Sequence, residues 1–282
     1  MNRATVLPLA LLVAYGSSFA GAALGRGLLV LDDHPGQLYR LWHVLTLGPV
    51  PWRWNPGWWA GYPELQFYPP GFFYAGALLH TLALGLLAPE TLYQVLLWIT
   101  YLLPGLATYW LLTRALGDGW LALPGAFLAM TLSAGTRSGV EEGLRWGLAA
   151  ARLGWGLLPL LAVALLPWLR DGASRAGLAA LALAAVTITH PTHVPLAFSM
   201  VALAAALAPR PSSRALLRIG AGALGLAAFW LLPTIAHRAM MLPLAWGDAS
   251  LRALAGRLVE YPVLGLLAAA SVSGWLVHAR RP

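Results

Sequence analysis

Nine apolar runs, at residues 5–24, 71–87, 92–113, 120–133, 154–169, 177–189, 194–208, 216–236 and 261–277, constrain this chain more than any other feature. Only 10% of its 282 residues are charged, against about 25% in a soluble globular protein. Repeated apolar runs of this length read as helices that cross a membrane, where every backbone polar group must be satisfied within its own segment. An outer-membrane barrel would show short alternating segments, and the sequence has none. The predicted fold is an all-α polytopic membrane protein with about eight to ten transmembrane helices, forming one integral membrane domain over residues 1–282.

Several runs fall short of the ~20 residues that a perpendicular helix needs, so these are expected to be re-entrant, tilted or extended by loop residues. Met1-Asn2-Arg3 followed by a long apolar run reads as a signal anchor that stays as the first helix. The chain has no cysteine, which excludes disulfides and thiolate metal sites. Its net charge of +8 is spread over short loops with no basic stripe, which argues against nucleic acid as a partner. Arg3, Arg170 with Arg175, Arg210 with Arg214 and Arg218, and Arg280–Arg281 mark cytoplasmic segments. The loops 31–70, 134–153 and 237–260 are then external. Nine full crossings would put the termini on opposite sides, yet both carry cytoplasmic signals. One run between 71 and 133 is therefore a hairpin or half-span, or a further span is hidden.

The loop 31–70 opens with Asp32-Asp33-His34, directly after the first apolar run. Acidic side chains are costly in hydrocarbon, so acids at a membrane boundary are functional candidates. In an extended stretch adjacent side chains point opposite ways, so one of the two would face a site. From Gln37 to Leu47 the residues Leu38, Leu41, Trp42 and Leu45 lie at helical spacing, with Gln37, Arg40 and His43 off that stripe. This predicts an amphipathic juxtamembrane helix lying in the interface with its apolar face toward lipid. Pro49 and Pro51 end it, and the aromatic stretches Trp52–Trp59, Gly61-Tyr62-Pro63-Glu64 and Phe67-Tyr68-Pro69-Pro70 follow. Their aromatic side chains suit either an interfacial belt or the apolar faces of sugars.

These features together resemble the glycosyltransferase-C superfamily. More narrowly, Asp32-Asp33-His34, Trp52–Pro56, Gly61-Tyr62-Pro63 and Phe67-Tyr68-Pro69-Pro70 resemble the bacterial membrane proteins that carry the 6-pyruvoyl-tetrahydropterin-synthase-related domain. The resemblance is sharp over residues 28–75 and diffuse to about residue 200, where Ala151-Arg152-Leu153-Gly154, Pro159-Leu160 and Thr189-His190-Pro191 are similar to later landmarks. It implies a multi-pass protein of the bacterial inner membrane. It also implies transfer of a sugar from a polyprenyl-phosphate-linked donor at the external face, to an acceptor left unidentified. Asp32 and Asp33 would serve as general base or as ligands of a divalent cation, Mg²⁺ or Mn²⁺, for which carboxylates are suitable hard donors. Longer members carry a C-terminal external domain that this chain lacks, so it reads as a short member or a truncated one. The acceptor side is then missing, small or supplied by a partner subunit.

The remaining candidates are weaker. Glu64 is a second acid or a surface residue. His34 is a ligand or base, but no His-x-x-x-His spacing supports a transition metal. Arg40, Trp58, Tyr62 and Tyr68 are candidate substrate contacts in the first loop. Arg152 is a candidate phosphate clamp, because the guanidinium fork matches phosphate oxygens. His190 and His193 lie in a turn that touches either a lipid phosphate or another helix. Glu141 and Glu142 are further acids, Glu141 being spaced to pair with Arg145. His237 and Arg238 read as interfacial anchors or as contacts to a pyrophosphate. Two other classes compete with an enzyme. One is a non-catalytic subunit or lipid-binding relative. The other is a transporter or flippase, for which mid-span charges and an internal repeat are lacking.

Overall fold

The computed structural model describes residues 3–24, 27–58, 60–133 and 140–241, with four isolated positions at 250, 252, 255 and 256. Residues 1–238 form one compact unit; a second, 239–282, lies almost wholly outside the described residues, as do the predicted run 261–277 and most of the loop 237–260. The first unit is helical, as its apolar composition requires. Its helices are α1 (Arg3–Leu24), α2 (His34–Leu47), α3 (Glu64–Phe67), α4 (Gly71–Leu82), α5 (Pro89–Leu116), α6 (Gly119–Thr131), α7 (Val140–Leu144), α8 (Ala149–Asp171), α9 (Ala176–Thr189), α10 (Val194–Leu207) and α11 (Ser213–Ala236). A two-residue antiparallel ladder, β1 (Trp54–Asn55) with β2 (Tyr62–Pro63), sits inside the first loop.

Among the described residues four helices are long and apolar enough to cross a membrane: α1, α5, α8 and α11. The other apolar runs form shorter helices, α4, α6, α9 and α10. Helix ends carry the expected chemistry. Asp118 caps α6 by accepting from the amides of Trp120 and Leu121, and Ser212 caps α11 through the amide of Ala215. Gly117 and Gly172, both left-handed, close α5 and α8.

Contacts order the bundle into two ends. At one end the Tyr109 hydroxyl donates to the carbonyl of Thr5, and Arg170 donates to the last carbonyls of α5, at Arg114 and Ala115. The Trp168 indole donates to the carbonyl of Arg210 between α10 and α11. Arg3, Arg114, Arg170, Arg175, Arg210, Arg214 and Arg218 therefore collect at this arginine end. At the opposite, loop end, the side chain of Gln94 near the start of α5 donates to Gly27, just past α1, and Thr234 near the end of α11 donates to Gln66 in α3.

Two expectations need correction. The predicted loop 134–153 ends early, because α8 begins at Ala149 and carries Arg152 within its first turn. The run 71–87 yields only α4, twelve residues long, or about 18 Å at 1.5 Å per residue, well short of a ~30 Å hydrocarbon core. Gly71 packs against Thr189 at the loop end of α9, Phe72 meets Tyr93, and Gly76 meets Leu41 and Leu96. Each of these partners lies in the loop-end half of the bundle.

Candidate functional site

The amphipathic helix forms where the sequence predicts it, as α2, but its polar residues face inward. Gln37 and His43 are buried as completely as Leu41 and Val44, while Trp42 is 42% exposed. For Gln37 and Arg40 the cause is a pair of partners 24 to 31 residues downstream, whereas both ring nitrogens of His43 are buried without a hydrogen bond. Gln37 donates to the Tyr68 hydroxyl at 2.8 Å, and Arg40 Nε donates to Glu64 Oε1 at 2.5 Å. Glu64 has no exposed surface. Its carboxylate also accepts from the Tyr62 hydroxyl at 2.7 Å and from the Asn55 amide. Asn55 in turn accepts from the Tyr39 hydroxyl and the Gly57 amide. The Arg40 guanidinium lies 4.2 Å over the Tyr68 ring and 5.5 Å from that of Trp58. Burial and the carboxylate that it donates to push the Tyr62 hydroxyl up to about 12, and burial raises Tyr68 too.

This network ties the β1–β2 ladder to α2 through one ion pair, the only one among the described residues. Glu64, Arg40, Tyr62 and Tyr68 are therefore brought together, but as each other's partners. A carboxylate that accepts three internal donors has little capacity left for a substrate proton or a metal. Gly61, at φ +101, lets the chain pass the Trp54 indole where a Cβ would collide with the ring.

The Asp pair stands elsewhere. Asp32 adopts a left-handed conformation, φ 44, and Asp33 sits at the N-cap of α2 with helical φ and ψ. The stretch is thus a turn and not the extended strand expected, and both side chains are exposed. The turn is pinned against the second polar loop. The Asp33 amide donates to the Trp146 carbonyl at 3.3 Å, and Gly147, at φ +70, lies so close that a Cβ there would strike the backbone of Asp33 and His34. His34 is fully buried beneath it. Its Nε2 is 2.9 Å from the Leu144 carbonyl, which can only accept, so Nε2 carries the proton and Nδ1 accepts from the Tyr93 hydroxyl at 2.8 Å. Burial lowers its pKa, in keeping with a neutral ring. Both nitrogens are committed, which makes His34 the pin between the two loops.

The second loop adds a further acid. Glu142, in α7, is half-buried, and burial pushes its carboxyl up to about 7 against the opposing effect of the Trp155 indole, which donates to it at 3.1 Å. Trp155 is 40% exposed and backed by the His193 ring at 4.9 Å, itself 5.3 Å from that of His190. His193 Nε2 donates to the Ala151 carbonyl; His190 is pushed down to about 4 by burial and by His193. Glu142, Trp155, His193 and His190 form one contiguous row on α7, α8 and the turn before α10. No periodicity rule pointed to Trp155; its place seven residues into α8, level with the His193 turn, emerges only from the packing of α8 against α10.

Arg152 does not reach this row as a free clamp. It is 4% exposed and donates to the carbonyls of Met130 and Ala129 at the end of α6, a cation capping a helix C-terminus. Glu141 and Arg145 form no ion pair; Arg145 instead lies 5.3 Å from the Trp146 ring. His237 shares a hydrogen bond with Gln66. Among the described residues no three His, Asp or Glu side chains gather as a metal site, so a cation at Asp32–Asp33 would rest on one or two carboxylates and water, a mode suited to Mg²⁺. Comparison of the chain with protein-family models, curated proteins and solved structures gives no match.

Proposed function

We propose that this protein is a membrane glycosyltransferase of the glycosyltransferase-C type, moving a sugar from a polyprenyl-phosphate-linked donor to an acceptor at the external face of the bacterial inner membrane. One observation carries the reading. Two loops far apart in sequence meet so that the exposed Asp32–Asp33 turn is pinned to the segment that follows Glu142. A lipid-linked donor presents its phosphate at the membrane surface, and this junction lies at the loop end of the bundle.

In this reading an Asp32 or Asp33 carboxylate accepts the proton of the acceptor hydroxyl. The acceptor oxygen bonds to the anomeric carbon as the bond from that carbon to the phosphate oxygen breaks, and the phosphate leaves on its lipid. A Mg²⁺ held by the two aspartates would neutralise the charge on that phosphate. The network of Glu64, Arg40 and Asn55 holds the first loop together, and Trp155, hydrogen-bonded to Glu142, offers an aromatic face on the second loop's side of the junction. The arginine end is cytoplasmic by the positive-inside rule. Helix α4 stays in the external half, so the crossings among the described residues are α1, α5, α6, α8, α9, α10 and α11.

A non-catalytic, lipid-binding subunit is the second reading. It is favoured by the internal engagement of His34, Arg40, Glu64 and Arg152, which leaves few free polar groups. Transfer assays separate the two. Purified protein in nanodiscs is given polyprenyl-phosphate hexoses and released polyprenyl phosphate is followed. The enzyme reading expects release that falls about 100-fold or more in Asp32→Asn/Asp33→Asn, in line with the loss of a general base. Full release by that variant overturns it, and no release with any donor moves the assignment to the subunit.

A further inference from the structure

At the arginine end, α9 and α11 diverge from a close crossing, where a Cβ on Gly222 would stand 3.0 Å from that of Ala180. The divergence opens a groove of about 710 Å³ lined by Ser174, Arg175, Gly177, Arg218, Gly222 and Leu226, among others. Its chemistry changes along its length. On α11 the residues Arg218, Gly222 and Leu226 recur every four positions and so share one face. They pass from a cation through a bare backbone to an apolar side chain over about 12 Å of helix. On α9 the order is the same, from Ser174 and Arg175 to Gly177 and then Leu178 and Ala180. Both arginines are exposed, and neither guanidinium makes an ion pair or hydrogen bond among the described residues. The first amides of α9 point toward the same mouth and have no side-chain cap.

We infer that this groove binds one anionic phospholipid of the adjoining leaflet, its phosphate held between Arg175 and Arg218 and an acyl chain lying over Gly177 and Gly222 toward Leu226. Charge complementarity selects the occupant. Two unpaired cations and a helix N-terminus favour a phosphate, basic pockets between transmembrane helices suit anionic headgroups, and the apolar floor suits a chain attached to that phosphate more than a free ion. The inference is independent of the transferase reading, because the groove lies at the opposite end of the bundle from the Asp32–Asp33 turn.

The test is native mass spectrometry of the whole protein released from bilayers of equal phosphatidylglycerol and phosphatidylcholine. The wild type is expected to retain one phosphatidylglycerol in preference to phosphatidylcholine. Arg175→Gln/Arg218→Gln should lose at least five-fold of it. Arg3→Gln/Arg210→Gln removes the same charge from the same end, outside the groove, and should retain it. Gly177→Leu keeps all charge and enters open space, since nothing lies within 4 Å of a Cβ there; it should displace the lipid by filling the groove. Equal retention by the groove variants, equal loss in both arginine pairs, or no preference for the anionic lipid would each overturn the site.

Discussion

Three donors from three elements converge on the Glu64 carboxylate, which has no contact with solvent. Removing one member of a buried, hydrogen-bonded pair leaves the other charge uncompensated and typically costs about 3–5 kcal/mol. Glu64→Ala is therefore expected to lower the thermal midpoint of the nanodisc-embedded protein sharply, and Glu64→Gln, which keeps an acceptor oxygen, to lower it less. If both retain wild-type stability, the network is not what holds the loop. Glu142 gives a pH dependence of definite sign. Its carboxyl rises from an ordinary 4.5 to about 7 in the fold, so the fold favours the protonated form. The stability that this contributes is present below about pH 4.5 and is lost as pH rises through about 7. Glu142→Gln should flatten the stability profile between those limits; an unchanged slope in unfolding measured across that range would contradict the burial argument. At this scale the sequence exposed the residue types and not their pairings. Arg40 and Glu64 were both visible as candidates, but nothing in local spacing told that each is the other's partner.

Among the elements, α2 was legible from the spacing of Leu38, Leu41, Trp42 and Leu45, because helical periodicity is a local property. Its orientation was not, because the groups that draw Gln37 and Arg40 inward lie on a later segment. Helix α4 shows the limit of hydropathy. The run 71–87 is apolar enough to pass for a span, since hydropathy reports which solvent a segment prefers and not how far it travels. The charge pattern required either that one run between 71 and 133 fail to cross or that a further span be hidden, and in our topology the short α4 is a run that does not cross. The chain has no cysteine, which makes a direct test simple. Single cysteines at Glu90, Trp52 and Ser174, all exposed positions, are labelled with an impermeant maleimide in oriented membranes. Glu90→Cys is expected to label from the same side as Trp52→Cys and from the opposite side to Ser174→Cys. Labelling together with Ser174→Cys would mean that α4 crosses.

Residues 3–238 form a helical bundle whose two ends differ in chemistry. Arg3, Arg114, Arg170, Arg175, Arg210, Arg214 and Arg218 gather at one, with Asp118 and Asp171 among them, while Asp32, Asp33, Glu64, Glu142, His34, His190 and His193 lie at the other. The polytopic, all-α character follows from composition, and the clustering of Arg at one end follows the short loops that carry them. The meeting of Asp32–Asp33 with the Glu142 loop could not be read from the chain, because it depends on His34 donating to the Leu144 carbonyl, a pairing 110 residues apart. That junction is the centre of the functional account. The measurement that tests it most directly is binding of a polyprenyl phosphate to the purified protein in nanodiscs, with and without Mg²⁺ or Mn²⁺, for wild type and Asp32→Asn/Asp33→Asn. The account predicts saturable binding that the cation strengthens and the variant loses. Binding that is equal in the variant, or absent from the wild type under every condition, would contradict it.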